Sequence, residues 1–282
     1  ENASGAERRR IIAAARSTDG LDADVRDGLI ESGIDDDSDQ WRMVRLGAVR
    51  AATGAPVFAE PLERIMTDDA ADDRLAAAAL RALAAISPDR ATARLQQFID
   101  RRGVTPLRDL GDAGLNEVAG PGPRSWMVSG PYPATDATAD LEAFARSFSL
   151  LKNPPETADG TSGWERKRTR PNGLLSFLEI AADPAATENS IAIASGWIMA
   201  PEDTTAIVAF GSDDGAVVIV NDRTILVDRT THGASPFGSM LEVPLRRGPN
   251  AVTVAVENGS GDFGFHFRPL DRRLTVMTSI DD

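Results

Sequence analysis

Apolar residues recur at helical spacing through roughly the first 105 residues of the chain. Side chains three and four positions apart share one face of a helix, so this pattern predicts helix packed on helix. Acidic turns precede the apolar segments and glycine or Ser87-Pro88 follows them, as expected for helix ends. We therefore expect a helical domain over residues 1–110. The apolar positions are Ile11, Ile12, Ala15, Val44, Leu46, Val49, Leu75, Ala79, Leu80 and Leu83.

The helical half contains an internal repeat. Residues 44–52 align with residues 75–83 at a spacing of 31 positions. Such an offset indicates stacked helical units, with second helices predicted over 57–66 and 90–101. The Arg- and Ala-rich first helix after an acidic turn resembles HEAT-type repeats. An irregular helical bundle packed against the second half is the alternative.

The pattern changes after residue 110. Residues 111–124 are rich in Gly, Pro, Asp and Asn, which predicts a linker, and alternating apolar and polar positions follow it. This period predicts an antiparallel β domain over residues 125–282. The less regular stretch 134–171 is expected to hold one helix over residues 140–151. Strands are predicted over 125–129, 174–181, 190–199, 205–211, 216–220, 224–228, 240–245, 251–257 and 263–268.

Three pieces of the second half carry a family resemblance. They are the tryptophan strand and Gly-Pro-aromatic-Pro turn of residues 126–133, Trp164 leading into residues 191–200, and the Phe-Gly-Ser-Asp-Asp-Gly run that begins residues 210–221. A hairpin at 245–250 and a closing strand at 261–268 complete the order. Together they resemble a galactose-binding-like module of large envelope proteins in bacteria such as planctomycetes. The Ser-Asp-Asp-Gly turn is also similar to the lectin domain related to anthrax protective antigen.

The resemblance covers about 140 residues, and it implies both a fold and a cellular location. Together with the resemblance of the first half to HEAT-type repeats, it implies an α+β multidomain chain, with an N-terminal α-helical HEAT-like repeat and a C-terminal antiparallel jelly-roll β-sandwich. It also implies a secreted or periplasmic, cell-envelope location. The first residue is Glu1 rather than Met, which we interpret as a trimmed or processed chain.

One turn is the candidate binding site. Asp213 and Asp214 precede Gly215, and Asn221 follows one short strand later. Carboxylate and amide oxygens are ligands that calcium prefers, so these three residues are candidate metal and ligand-binding positions. In the lectins that the segment resembles, the equivalent acidic pair holds calcium, and the calcium holds sugar hydroxyls. The alternative is that the aspartates only satisfy turn amides. Residues 217–220 are aliphatic where an aromatic side chain is expected, which weakens a sugar-stacking role.

Catalytic chemistry finds little support in the sequence. The chain has two histidines and no cysteine, which excludes thiolate nucleophiles and zinc–thiolate sites. His232 lies in a predicted loop without a nucleophile motif, and His266 alternates with two phenylalanines, so we expect it at the surface or at a sheet edge. A basic run at residues 166–170 is interpreted as an anion-binding patch or as the solvated face of an edge strand.

The net charge of the chain disfavours two classes of binding partner. The formal net charge is −13 with a pI near 4.7, which disfavours nucleic acid and anionic lipid. No apolar run reaches the roughly 18 residues of a spanning helix, so no transmembrane segment is expected.

Three functional hypotheses follow. The first is a non-catalytic binding or scaffolding protein, or a region of a larger envelope protein, that engages a protein or glycan partner. The second is a calcium-dependent, carbohydrate-binding lectin. The third is an accessory region of a larger oxidoreductase or hydrolase whose catalytic domain lies outside this chain. The sequence leaves the oligomeric state open.

Overall fold

The computed structural model describes residue 49 and residues 56–135, 140–148, 163–180 and 184–278. The chain divides into two compact units, residues 1–119 and 120–282. The helical segments predicted before residue 56 lie outside the described residues, and of the first helix of the first repeat, residues 44–52, only Val49 is described. Val49 is helical and fully buried.

The described part of the first unit is helical. Its α-helices confirm the segments predicted over 57–66 and 90–101, within two residues at their ends. No helix in the described ranges is both long and apolar enough to span a bilayer. A 3₁₀ turn at Pro56–Phe58 leads into α1 (Ala59–Thr67), α2 (Asp73–Ile86), α3 (Pro88–Arg102), α4 (Thr105–Arg108) and α5 (Gly111–Ala119).

Helix α2 forms the centre of this unit. Its first turn is capped by Asp72, whose Oδ1 accepts a hydrogen bond of 2.7 Å from the amide of Leu75. Leu75, Leu80 and Leu83 are buried, as the spacing predicts, and alanines fill most of the remaining positions. Small alanines allow close approach, and α2 packs against α1, α3 and α5.

The predicted linker 111–124 is shorter in the structure, because residues 111–119 form α5. Leu115 and Val118 of this helix are buried, and the helix packs on α2, so tertiary burial outweighs the Gly- and Asp-rich composition. The border between the units falls after Ala119, and the non-helical connection is confined to residues 120–124.

The described residues of the second unit form two antiparallel sheets. Their strands are β1 (Ser125–Pro133), β2 (Glu165–Arg168), β3 (Leu174–Ser176), β4 (Ser190–Ala200), β5 (Thr204–Ser212), β6 (Ala216–Val220), β7 (Arg223–Asp228), β8 (Ser239–Leu245), β9 (Gly248–Asn258), β10 (Gly264–Pro269) and β11 (Thr275–Met277). The larger sheet has the order β2-β1-β4-β9-β6-β7, with β11 also paired to β4, and the smaller has the order β3-β10-β5-β8. Strands β2 and β11 are the two that the sequence pattern does not predict.

The inner faces of the two sheets share one apolar core, which gives a sandwich-like arrangement. Trp126 of β1 is 1% exposed and makes edge-to-face contacts with Phe265 and Phe267 of β10, at ring-centroid distances of 5.4 and 5.3 Å. These rings join the larger sheet to the smaller one. Alternate residues of β4, β6 and β9 complete the core.

A short helix, α6 (Leu141–Ser147), covers part of the outer face of the larger sheet. It lies within the helix predicted over 140–151. Its Arg146 donates hydrogen bonds to the backbone oxygen of Asp222 and to Oγ1 of Thr224, which fixes the helix to the β6–β7 turn. Val217 and Ile219 of β6 face this helix and are buried.

Candidate binding site at one end of the sandwich

Three loops meet at the end of the sandwich where β5 finishes. The β5–β6 turn carries Asp213 and Asp214, and it is bonded to both neighbouring loops. The amide of Asp214 donates to the carbonyl of His232 in the β7–β8 loop at 2.8 Å. Oδ2 of Asp214 accepts from the amide of Gly259 in the β9–β10 loop, also at 2.8 Å. The turn therefore connects the loops on either side of it.

Close backbone approach at this end depends on glycine. A Cβ on Gly211 would lie 1.8 Å from the carbonyl oxygen of Ser235, and a Cβ on Gly215 would lie 2.3 Å from Oε1 of Glu257. The β7–β8 loop therefore lies directly across the end of β5, where a larger residue would displace it. Asp214 adopts φ = 56°, a left-handed conformation that Asp tolerates in turns.

Asp213 carries a partly buried carboxylate. Burial is the main cause that raises its pKa, and the neighbouring charges of Asp214 and Asp262 act in the same direction. A hydrogen bond from the backbone of Ala234 and the nearby His232 oppose this shift. No ion pair to Asp213 occurs in the part of the chain that the structure describes. Its oxygens can accept hydrogen bonds from a ligand's hydroxyl or amide groups.

The structure brings two of the three predicted ligand and metal residues together. Asn221 follows β6, seven positions beyond Asp214, which places it about 20 Å away at the usual rise of a strand. Its side chain is engaged there, because Nδ2 donates to Oδ1 of Asn250 at 2.7 Å and Oδ1 accepts from the amide of Ala251 at 3.1 Å. The described residues contain no group of three or more His, Cys, Asp or Glu able to hold a metal ion. They do not assemble the calcium-ligand set of Asp213, Asp214 and Asn221.

His232 is held on both sides of its ring. Nε2 lies 2.9 Å from Oδ2 of Asp228 at the end of β7, and Nδ1 lies 3.1 Å from the carbonyl oxygen of Ser212 at the end of β5. The hydrogen bond with Asp228 is the main cause that raises the pKa of His232 above its ordinary value of 6.5. Sequence analysis missed Asp228 as its partner, although the four-residue spacing was visible.

His266 is buried, with 7% of its surface exposed, so the expected surface or edge position was wrong. Strand β10 is an inner strand, paired with β3 on one side and with β5 on the other. The turn before β3 also approaches the ring, since a Cβ on Gly173 would lie 3.9 Å from Nδ1 of His266.

Residues 166–168 of the basic run lie in β2, at one edge of the larger sheet. Acidic neighbours compensate part of its charge. Lys167 pairs with Glu165 at 2.8 Å, and Arg170 pairs with Glu179 at 3.2 Å. This arrangement agrees with the edge-strand interpretation of the run.

Comparisons with known proteins identify no family. No family model matches the chain, and no curated protein matches it. Among solved structures, the chain is similar to a β-glucosidase from Kluyveromyces marxianus, with 14% identity and a TM-score of 0.32 over 56% of this chain and 16% of that chain. It is also similar to the PA14 domain of the MpAFP antifreeze protein, with 11% identity and a TM-score of 0.30 over 55% and 90% of the two chains.

A third similar structure is a GH31 α-xylosidase from Xanthomonas citri, with 14% identity and a TM-score of 0.28 over 53% of this chain and 17% of that chain. The chain spans 16% of the length of the β-glucosidase, and 17% of it in a second structure of that enzyme in complex with glucose. Likenesses of this size carry no argument about function.

Proposed function

We propose that the second unit is a non-catalytic binding module that holds a glycan at the loop end around Asp213. The observation that carries the proposal is the Asp213 carboxylate, which is partly buried, raised in pKa and without an ion pair among the described residues. A carboxylate in this state is stabilised by donors that approach from solvent. Perturbed titratable groups of this kind concentrate at functional sites.

Hydroxyl groups match this carboxylate in chemistry and charge. Ionised Asp213 is acceptor-only, so two neighbouring sugar hydroxyls can both donate to it. Hydrogen bonds to a charged acceptor are stronger than those between neutral groups. The chain carries a net charge of −13, so a neutral glycan avoids the repulsion that an anionic one meets.

The remaining structural expectations belong to the same proposal. We propose that the sandwich has jelly-roll topology and that the helical unit is a HEAT-like stack that acts as its scaffold. The packing of α2 against both α1 and α3, and against α5 beyond them, supports stacked helix pairs. Besides the glycan, we propose that the helical unit binds a protein partner.

The test is a glycan array probed with the full chain, followed by calorimetry on any glycan that binds. Asp213→Asn removes the charge and keeps the size, and it should weaken binding by about tenfold or more. Asp203→Asn is the matched control. Asp203 lies in the turn before β5, at the other end of that strand, and caps the amide of Arg247 at 2.7 Å.

Two results would overturn the proposal: an array without any bound glycan, or an Asp213→Asn variant that binds as tightly as the parent. Repeating the array with a chelator distinguishes a calcium-dependent lectin from a module that binds its glycan without calcium. A calcium-dependent lectin would lose its glycan when the chelator is present.

A further inference from the structure

We propose that His232 is a proton-operated latch that fixes the β7–β8 loop, residues 229–238, across the end of β5. The loop is closed in mildly acidic solution and loosens in alkaline solution. Residues 229–238 form this latch loop. Its effect on ligand binding rests on the proposed function, whereas the latch itself does not.

The geometry of the ring carries the inference. Both ring nitrogens face acceptors, namely the carboxylate of Asp228 and the carbonyl oxygen of Ser212. A neutral imidazole has one N–H and can satisfy only one of these acceptors. The imidazolium has two and satisfies both. Loss of the proton therefore removes one of the two hydrogen bonds and turns a ring lone pair toward an oxygen.

The charges around the ring favour the protonated form. Asp228 faces it from β7 and Asp213 faces it from the β5–β6 turn, with Asp214 and Asp262 beside Asp213. The nearby cation Arg229 pairs with Glu257 at 3.2 Å. The carboxylates therefore dominate the electrostatic surroundings of the imidazole, in agreement with the raised pKa of His232.

The direction of the pH effect follows from these pKa shifts. Because the folded-state pKa of His232 is raised, its stabilising contribution is complete below pH 6.5, the ordinary value, and is lost as the pH rises through the folded value. Burial acts to raise the pKa of Asp228, but hydrogen bonds from Thr230 and His232 lower it overall, below the ordinary value of 3.8. The latch is therefore expected to be closed between the acidic titration of Asp228 and the titration of His232.

Loosening the latch loop would change the candidate binding site. The carbonyl of His232 accepts the amide of Asp214, and the backbone of Ala234 bonds the carboxylate of Asp213. Ser235 lies against Gly211 on the same strand end. Glycan affinity at Asp213 is therefore expected to fall as His232 loses its proton.

Hydrogen exchange of individual amides tests the latch without any ligand. After correction for intrinsic exchange, the protection of the Asp214 amide should fall about tenfold between pH 6 and pH 8.5, the size expected for one hydrogen bond to a charged group. His232→Gln should abolish this pH dependence. The Asn221 amide, bonded to the carbonyl of Ala251 at 2.9 Å at the other end of β6, is the internal control and should not respond.

A second variant guards against a folding defect in His232→Gln. Asp228→Asn removes the charged acceptor and should lower the midpoint of the His232 titration followed by NMR.

A midpoint at or below pH 6.5 in the parent, or equal protection of the Asp214 amide at both pH values, would overturn the latch. If the array yields a glycan, affinity that is equal at pH 6 and pH 8.5 would overturn the gating of the site. An empty array would instead contradict the proposed function and leave the exchange result standing.

Discussion

Replacement of Arg102 by methionine should destabilise the helical unit far more than the same replacement at its neighbour, Arg101. The Arg102 side chain is 7% exposed, whereas that of Arg101 is 40% exposed. Arg102 extends from the end of α3 to the end of α1 and the turn that follows. There it donates to the carbonyl oxygens of Asp68 at 2.6 Å and Ala71 at 2.9 Å, with a longer contact of 3.4 Å to Met66.

The expected magnitude follows from these contacts. Each hydrogen bond from a charged donor contributes about 1.5–3 kcal/mol, so the two short bonds together contribute about 3–6 kcal/mol. The carbonyl of Asp68 lies at the C-terminus of α1, where a positive charge is also favourable. The ion pair with Asp73 adds little, because Asp73 is 62% exposed. Methionine keeps most of the buried aliphatic stem. We therefore expect a net loss of about 3 kcal/mol for Arg102→Met.

Urea unfolding of the full chain, followed by the helical circular dichroism signal, is the appropriate assay. A loss of about 3 kcal/mol lowers the unfolding midpoint of the helical signal by at least about 1 M urea. Arg101→Met should shift it by less than half as much, since its contacts with Thr67 and Asp69 are exposed. Equal midpoints for the two variants would show that the buried contacts of Arg102 do not stabilise the turn after α1.

Three further changes test other parts of the fold. Leu80→Asp should unfold the helical unit in thermal melts, because it places an unpaired charge at a position with 0% exposure, whereas Leu80→Met should melt close to the parent. Asn250→Ala should lower the stability of the sandwich by about 3 kcal/mol in urea, because it removes a buried amide that bonds several backbone groups. Gly211→Ala should displace the loop at Ser235, seen as faster exchange of that loop, while β6 keeps its protection.

Strand boundaries were predictable where turn-forming residues such as Asn and Asp lie at both ends of the strand. Residues 216–220 were predicted as a strand and form β6 without a change of boundary. Asp214, Asn221 and Asp222 on either side adopt φ values of 56°, 49° and 62°, which Asn and Asp tolerate better than β-branched residues do. The local sequence therefore determines both ends of this strand.

Strand β2 was not predictable from its own residues, because Glu-Arg-Lys-Arg has neither apolar alternation nor β propensity. It forms by pairing with β1, from Arg168 opposite Ser125 to Glu165 opposite Val128. Pairing with a distant segment decides this strand. His266 shows the same limit, since alternation indicates which face of β10 it occupies but not that other elements bury that face.

The candidate site was predictable only in its acidic turn. Asp213 and Asp214 are adjacent in sequence, so their proximity needed no structure. Because a five-residue strand separates them, the usual rise of a strand already implied that Asn221 lies about 20 Å from Asp214. That distance was the sequence-level reason not to place Asn221 in one site with the two aspartates. The contact of Ser235 with Gly211 had no such signal, because it joins segments separated by two further strands.

The two ends of β6 differ in how their buried polar groups are satisfied, and this difference favours the Asp213 end as the functional one. At the Asn221 end, the buried Asn250 amide bonds Asn221 and several backbone groups. At the Asp213 end, the buried Oγ of Ser212 and Oδ1 of Asn258 have no hydrogen-bond partner among the described residues. An unsatisfied buried group costs about 1–3 kcal/mol. Proteins break the rule of polar satisfaction at functional sites more than elsewhere. The Asn221 end is fully hydrogen-bonded, whereas the end with the unsatisfied oxygens also carries the partly buried carboxylate of Asp213, and this contrast supports the proposal that a ligand binds at the Asp213 end.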